Sequence, residues 1–248
     1  EDLTLAYESP MLKDLNDWAI SQHKIAGGKT VGIYMGALGF GYSADVLKEK
    51  GVEGPKCWAD LVKPEYKGEV QVANPNSSGT AYTMLATLVQ IMGEEDAFAY
   101  LKKLNENINQ YTKSGAAPSQ AASRGETLIG ITFQHDLVTP AVTSGVPMVV
   151  VSPCEGTGFE VGSMSIIKGA PNLENAKKWY DWALTPEAQA LGAQANSFQV
   201  PSNKSAPTPE AAPKIAEIKL IDYDFAKYGS SDERKRLLSR WDKEIGAQ

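Results

Sequence analysis

Apolar and small residues alternate along residues 31–42, in the run VGIYMGALGFGY. A period of two is typical of a strand, and glycines within a strand mark places where another backbone approaches closely. The run therefore predicts a strand or a pair of strands. Ser43 follows as a helix-starting residue, so we expect a short helix over residues 44–50 that ends at Gly51.

Residues 81–92 carry the strongest helical pattern, because their apolar side chains recur on one face of a helix that ends at Gly93. Strands that alternate with helices along the chain indicate an α/β fold with largely parallel sheets. Further helices are expected over residues 95–105, 117–125 and 172–184, after Thr185 and after Ser230, and further strands over residues 68–73, 128–133, 148–151 and 161–167.

Length and composition narrow the class of protein. The 248 residues suit one large α/β domain or two lobes, and the 42% hydrophobic and 22% charged content is ordinary for a globular chain. A net charge of −6 and a pI near 5.1 lack the basic footprint that nucleic acid or anionic lipid requires. No apolar run approaches the ~18 residues of a membrane span.

Cys57 and Cys154 are the two cysteines of the chain. Two are too few for a disulfide scaffold or a zinc cluster. Two interpretations stay open, a pair of buried thiols and one long-range disulfide. No metal or other cofactor is expected, because two histidines, two distant cysteines and scattered carboxylates show no ligand spacing.

A candidate anion site lies where the 68–73 strand passes into the 81–92 helix. The connection contains small and hydroxylated residues, and the free N–H groups and dipole of a helix start attract anions. An ordinary helix cap with turn residues is the alternative. The candidate ligand residues here are Ser77, Ser78, Gly79 and Thr80.

Three further candidates follow other predicted strands or turns. His135 and Asp136 follow the 128–133 strand and could bind sugar hydroxyls, or form only a local structural pair; a Ser-His-Asp triad is a poor fit, since no nucleophile motif accompanies them. Glu155 lies in a glycine loop after the 148–151 strand. Lys113 and Ser114 offer a cation and a hydroxyl, although an exposed lysine is usually only solvated.

The order of these segments resembles the iron(III)/phosphonate/sugar-phosphate group of type 2 periplasmic binding proteins. Residues 38–42, 55–61 and 74–80 carry the resemblance, with residues 172–191 similar to a late helix pair and 196–201 to a return crossover. The match covers about residues 30–245. Residues 133–136 and 153–158 are most similar to the hexose-phosphate binders of the group.

The resemblance implies a two-lobed fold with mixed sheets flanked by helices. It implies residues 1–68 and 156–205 in the first lobe, and residues 69–155 and 206–248 in the second. The family usually begins with a further segment, so the first lobe is expected to be incomplete. We therefore expect self-association or a domain swap that covers its exposed edges.

The function implied is that of an exported, periplasmic protein that closes around a phosphorylated sugar without catalysis and serves an ABC permease. The hydroxyl loop is expected to hold the phosphate, and His135, Asp136 and Glu155 the sugar. Ferric members carry a tyrosine pair where this chain has Phe133 to Asp136, so an iron role is disfavoured. A sensor module for a membrane receptor is the other class considered, and a phosphatase would depend on His135 and Asp136 alone.

Overall fold

The computed structural model describes residues 2–246. The strands are β1 (Thr4–Leu5), β2 (Val31–Ser43), β3 (Val70–Ala73), β4 (Ile108–Thr112), β5 (Ile129–Phe133), β6 (Met148–Val151), β7 (Phe159–Met164), β8 (Ile166–Ile167) and β9 (Val200–Pro201). The α-helices are α1 (Asp17–Ile25), α2 (Ala44–Lys50), α3 (Gly79–Met92), α4 (Glu94–Asn105), α5 (Ala117–Ser123), α6 (Gln134–Ser144), α7 (Leu173–Ala183), α8 (Pro186–Gln194), α9 (Phe225–Tyr228) and α10 (Ser231–Trp241). Among the described residues, no helix combines the length and the hydropathy that crossing a bilayer requires.

The chain divides into two compact units. The first contains the chain up to Gly36 together with Glu160–Pro213, and the second contains Ala37–Phe159 together with Lys214 onward. Strand β2 contributes its beginning to the first unit and its end to the second. The mixed α/β architecture that the resemblance implied is confirmed.

The sheet of the second unit has the strand order β4-β3-β5-β2-β6. Strands β3, β4 and β5 are parallel, whereas β2 runs antiparallel to both β5 and β6. The parallel part follows from strand–helix–strand connections, which need long crossovers. The sheet is therefore mixed, and its three parallel strands end at the same edge.

Helices α3 and α4 supply much of the apolar core of the second unit. In α3 the buried residues include Met84, Leu85 and Leu88, the same face that the helical period predicts. Trp58 and Phe40 are fully buried in this core, with their rings 5.6 Å apart in an edge-to-face arrangement. Burial of side chains this large supplies most of the stabilisation of a domain core.

Cys57 and Cys154 form a disulfide, which settles the alternative that the sequence left open. The bond joins positions 97 residues apart and ties the segment before Trp58 to the segment after β6. Beside it, the backbone N–H of Cys154 donates to the carbonyl of Lys56 at 3.1 Å. The segment that contains Trp58 is thus fixed covalently to the second unit.

The first unit has a small core around Leu15, Val31, Ile166, Tyr180 and Leu184. It includes the antiparallel pair β1–β8 and the pairing of the first part of β2 with β9. Tyr180 is the one buried residue of α7, and α8 has none. This unit therefore has fewer buried apolar side chains than the second.

The boundaries of the units differ from the expected division. Residues 37–68 were expected in the first lobe but lie in the second unit, because Leu38 to Gly41 pair with β5 and Cys57 is bonded to Cys154. Residues 156–159 were also expected in the first lobe and lie in the second unit. Residues 206–213 were expected in the second lobe and lie in the first unit. Residues 1, 247 and 248, which the expected division included, lie outside the described residues.

Several elements were not predicted from the sequence, namely α1, β4 and α6. The first two are polar, and α6 contains an internal proline, Pro140. The apolar run of β6 indicates a buried strand, but all four of its residues are only partly buried. It lies at the end of the strand order in its sheet, where one side has no neighbouring strand within that order.

Candidate functional site

The carboxyl ends of β3, β4 and β5 define one edge of the sheet in the second unit. Helix α6 starts directly after β5, and α3 starts six residues after β3 ends. Because β3 and β5 are parallel neighbours, these two helix starts lie at the same edge. Open α/β sheets bind ligands at such edges, so this is the candidate site.

The turn between β3 and α3 is organised by Asn74. Its carbonyl accepts from the backbone N–H of Ser77 at 3.1 Å and of Ser78 at 2.9 Å, and its side chain accepts from the N–H of Asn76 at 2.9 Å. The Asn76 amide in turn donates to Asp242 at 2.7 Å. The turn therefore holds the start of α3 in one position.

Ser78 caps α3, with its hydroxyl oxygen accepting from the N–H of Ala81 at 3.4 Å. As the first two helical residues, Gly79 and Thr80 have N–H groups without a partner inside the helix. The first turn holds no acidic residue, and Gly79 is exposed. The positive end of the helix dipole is thus open to an anion.

A second loop, residues 113–116 after β4, lies against this turn. The N–H of Asn74 donates to the carbonyl of Thr112 at 2.8 Å, and the Ser77 hydroxyl donates to the carbonyl of Lys113 at 3.1 Å. The Lys113 and Ser114 residues are both exposed, and within residues 2–246 Lys113 forms no ion pair. The structure therefore brings Ser77, Lys113 and Ser114, which the sequence offered as separate candidates, together beside the start of α3.

His135 lies in the first turn of α6 and is almost fully buried. Its ring stacks on Phe133, with the ring centres 5.4 Å apart and the planes 13° from parallel. Burial lowers the pKa of His135, and the negative charge of Asp136 opposes that change only in part. The imidazole is therefore neutral near pH 7, and its 3.8 Å approach to Asp136 is not an ion pair there.

Asp136 is partly exposed and accepts a hydrogen bond from the hydroxyl of Thr132 at 3.0 Å. Its neighbour Gln134, which the sequence did not single out, is buried and donates to the carbonyl of Leu38 and to the hydroxyl of Ser152. These bonds connect three places at the same edge of the sheet: Leu38 in β2, the end of β5, and Ser152 just after β6. No sequence signal marks Gln134, because its partners lie 96 and 18 residues away.

Glu155 is held by hydrogen bonds within the second unit. Its two carboxylate oxygens accept from the backbone N–H groups of Trp58 at 2.8 Å and Ala59 at 2.9 Å. The carboxylate therefore caps the short helical turn at Trp58, and its binding to ligand hydroxyls stays a prediction. Among the described residues, Glu155 forms a close group of potential metal ligands with Cys57 and Cys154, but the two sulfurs are joined in the disulfide.

Comparison with known proteins decides the family. The family of bacterial extracellular solute-binding proteins matches residues 2–228. The chain belongs to this family. The resemblance that the sequence showed to periplasmic binding proteins of ABC transporters is thereby confirmed. Such proteins bind small molecules outside the cytoplasm, without catalysis, and deliver them to ABC permeases, in agreement with the non-catalytic interpretation of the sequence.

Two solved structures are similar to this chain over nearly its whole length. The periplasmic binding protein AfuA from Actinobacillus pleuropneumoniae, with exogenous fructose-6-phosphate bound, is 46% identical with a TM-score of 0.94. The match covers 100% of this chain and 78% of that one. The periplasmic binding protein P5PA is 43% identical with a TM-score of 0.90, over 98% of this chain and 77% of that one.

Curated relatives are longer than this chain. An uncharacterized protein of Haemophilus influenzae is 46% identical over 241 residues, which are 96% of this chain and 69% of that protein. The spermidine/putrescine-binding periplasmic protein of Escherichia coli is 27% identical over 86% of this chain. The chain spans only 58% of the length of that second relative.

Proposed function

We propose that the second unit binds a hexose phosphate or a related organophosphate. The phosphate occupies the start of α3, where it meets the N–H groups of Gly79 and Thr80 and the hydroxyls of Ser77, Ser78 and Thr80. Lys113 and Ser114 approach it from the neighbouring loop. The sugar hydroxyls meet His135 and Asp136 at the start of α6.

The observation that carries this proposal is the similarity to AfuA, which has fructose-6-phosphate bound and is 46% identical in sequence to this chain. The geometry supports it independently, since a helix start without acidic residues favours an anion. A neutral His135 can donate to or accept from a hydroxyl, and a carboxylate such as Asp136 accepts from hydroxyls. Glu155 is left out because it caps the turn at Trp58.

In this proposal the protein acts in the periplasm and hands its ligand to a membrane-bound ABC permease. Two other ligand classes are disfavoured, the ferric ion of the ferric members of the group and the polyamine for which the Escherichia coli relative is named. A ferric ion would need hard anionic ligands, and the residues after β5 are Gln134, His135 and Asp136 rather than a tyrosine pair. A polyamine is a cation, and the positive end of α3 repels it.

Thermal unfolding in the presence of candidate ligands tests the proposal. We would compare fructose 6-phosphate, glucose 6-phosphate, inorganic phosphate, fructose, spermidine and iron(III). A ligand at about 100 times its Kd stabilises the native state by ~2.7 kcal/mol, which raises Tm by a few degrees. A rise with the sugar phosphates that exceeds the rise with fructose is expected. A rise with spermidine or iron(III) alone contradicts the proposal.

Two threonine variants locate the phosphate. Thr80→Ala is expected to reduce the rise in Tm, since it removes a hydroxyl from the start of α3 and weakens binding. Thr143→Ala is the matched control, because that exposed hydroxyl lies near the end of α6 and bonds only to the carbonyl of Thr139 and, at 3.5 Å, to Ser144. Equal ligand responses in the two variants would place the phosphate elsewhere.

The self-association expected from the sequence stays a prediction. Light scattering over a range of protein concentrations tests it. A mass that stays at 26.7 kDa at every concentration contradicts it.

A further inference from the structure

Gly115 lies directly against the hydroxyl groups at the start of α3. A Cβ atom added to it would stand 2.3 Å from Thr80 Oγ1, 2.9 Å from Ser78 Oγ and 2.9 Å from Thr80 Cβ. Distances below 3.0 Å require one of the atoms to move. Any side chain at position 115 therefore competes with Thr80 for space.

The backbone conformation gives no reason for glycine at this position. Gly115 is not among the glycines with positive φ, unlike Gly125 a few residues later. Gly79, on the other side of the site, does not have a positive φ either, and a Cβ atom added there would meet nothing within 4 Å. The glycine at 115 is therefore required by the closeness of Thr80 and Ser78.

The loop that carries Gly115 cannot easily withdraw to make room. Thr112 before it accepts from Asn74 and donates its hydroxyl to the carbonyl of Ser114 at 2.8 Å. Ser77 holds the carbonyl of Lys113. Two hydrogen bonds thus tie the loop to the α3 turn, so an added methyl group would push against the start of α3 instead. Its closest contact would be with Thr80 Oγ1 at 2.3 Å, whereas the contacts with Thr80 Cβ and Ser78 Oγ at 2.9 Å need only a small shift.

We propose that Gly115 is a positioning residue for the phosphate, acting through Thr80. This inference depends on the proposed function. A threonine in a helix has two accessible χ1 rotamers. Contact from a side chain at position 115 therefore rotates the Thr80 hydroxyl from one rotamer to the other. In that rotamer the hydroxyl bonds to a backbone carbonyl of its own turn rather than to an anion. Glycine at 115 keeps the hydroxyl directed at the ligand.

The consequence concerns recognition of the phosphate. The Thr80 hydroxyl has no protein hydrogen-bond partner within residues 2–246, so it is available to donate to a phosphate oxygen. A hydrogen bond to a charged group accounts for roughly a 10- to 100-fold difference in affinity. A change in the orientation of the Thr80 hydroxyl should therefore weaken the affinity for the phosphate as much as removal of that hydroxyl does.

A double-mutant cycle tests this, with Kd for fructose 6-phosphate measured by calorimetry on the whole chain. The variants are Gly115→Ala, Thr80→Ala and the two combined. Each single change is expected to weaken binding about 10- to 100-fold, and the combination should be no weaker than Thr80→Ala alone. Gly192→Ala adds the same methyl group in the first unit at an ordinary 3.6 Å contact and is expected to bind as wild type does.

The outcomes separate this inference from the proposed function. If the wild-type chain binds the sugar phosphate and Gly115→Ala binds it equally well, the inference is overturned but the proposed function is not. The same holds if the losses of affinity in the two single variants multiply in the double variant, because this shows a general loosening of the site. A wild-type chain that binds no sugar phosphate overturns the proposed function and the inference together. If Gly115→Ala does not fold, the double variant is compared with Thr80→Ala. It lacks the 2.3 Å contact and keeps only the two contacts at 2.9 Å, so its affinity must be similar to that of Thr80→Ala.

Discussion

The carboxylate of Glu155 and the backbone of Trp58 are joined by a 2.8 Å hydrogen bond, across 97 residues of sequence. Trp58 makes a second hydrogen bond to the same loop, because its indole N–H donates to the carbonyl of Gly156 at 3.1 Å. The disulfide between Cys57 and Cys154 lies directly beside this pair. These three connections hold the Trp58 segment against the core of the second unit.

Glu155→Gln is expected to lower the free energy of unfolding by about 1–3 kcal/mol, since the amide can accept only one of the two N–H groups. Affinity for a sugar phosphate should change less than about twofold. Urea unfolding and calorimetry measure the two effects. Glu210→Gln, at an exposed loop position, is the control. If the variant lost affinity for the ligand but kept its stability, the result would show that Glu155 binds the ligand rather than stabilising the turn.

Removal of the disulfide in the double variant Cys57→Ser/Cys154→Ser is expected to destabilise the protein by up to ~4–5 kcal/mol. A cross-link over about a hundred residues removes that much entropy from the unfolded chain in the loop-closure treatment. Urea unfolding of the variant, and of wild type with and without a reductant, measures the effect. A loss below about 1 kcal/mol would contradict the stabilising role.

Lys113→Gln is expected to weaken sugar-phosphate binding about 3- to 10-fold and to reduce its dependence on salt. The lysine is exposed, so its attraction to a phosphate is screened by ions. Titrations at two ionic strengths provide the measurement. Lys103→Gln removes the same charge from an exposed position at the end of α4 and should leave both quantities unchanged.

Ionisation of Glu94 makes the free energy of unfolding of the second unit depend on pH in the acid range. Hydrogen bonds from Arg236, followed by those from Arg240, lower the pKa of Glu94 to about 2, below its ordinary 4.5. The stabilisation is therefore present above pH 4.5 and is lost as the pH falls towards 2. After screening at this partly exposed site we expect a contribution of about 1–2 kcal/mol.

Glu94→Gln tests this contribution. Urea unfolding from pH 7 to pH 2 should show that the variant is less stable than wild type at neutral pH, with the difference vanishing near pH 2. Glu187→Gln, an exposed change in the first unit, should show no such convergence. A constant difference at every pH would mean that Glu94 acts through packing rather than through charge.

His135 is expected to titrate below the ordinary pKa of 6.5, because burial disfavours its charged form. The unfolded chain then binds more protons than the folded chain at mildly acidic pH, so stability falls as the pH decreases below 6.5. A titration followed by NMR measures the pKa of each imidazole. His23→Gln assigns the two signals, since the chain has two histidines. A value above 6.5 would contradict the buried, neutral ring.

The strand, turn and helix from Val70 to Met92 were predictable because every level of the sequence agreed there. The apolar run, the small polar turn and the helical period each indicated the observed element, and Gly93 ended the helix as expected. Helix α6 was hidden because Pro140 interrupts its pattern and its first turn is polar. The proline is tolerated because α6 packs on β5 and β6, the strands that precede and follow it in the chain, and this tertiary packing outweighs the lost helical hydrogen bond.

The sequence by itself determined the α/β class, the family, and a hydroxyl-rich turn at the start of a helix. These depend on local periodicity and on short motifs, which neighbouring residues set. Only the tertiary structure decided that the cysteines pair, that Glu155 caps the turn at Trp58, and that a Cβ atom at position 115 would stand 2.3 Å from Thr80 Oγ1. Each of these joins residues at least 35 positions apart, and such contacts exist only once strand pairing has brought the loops to a common edge.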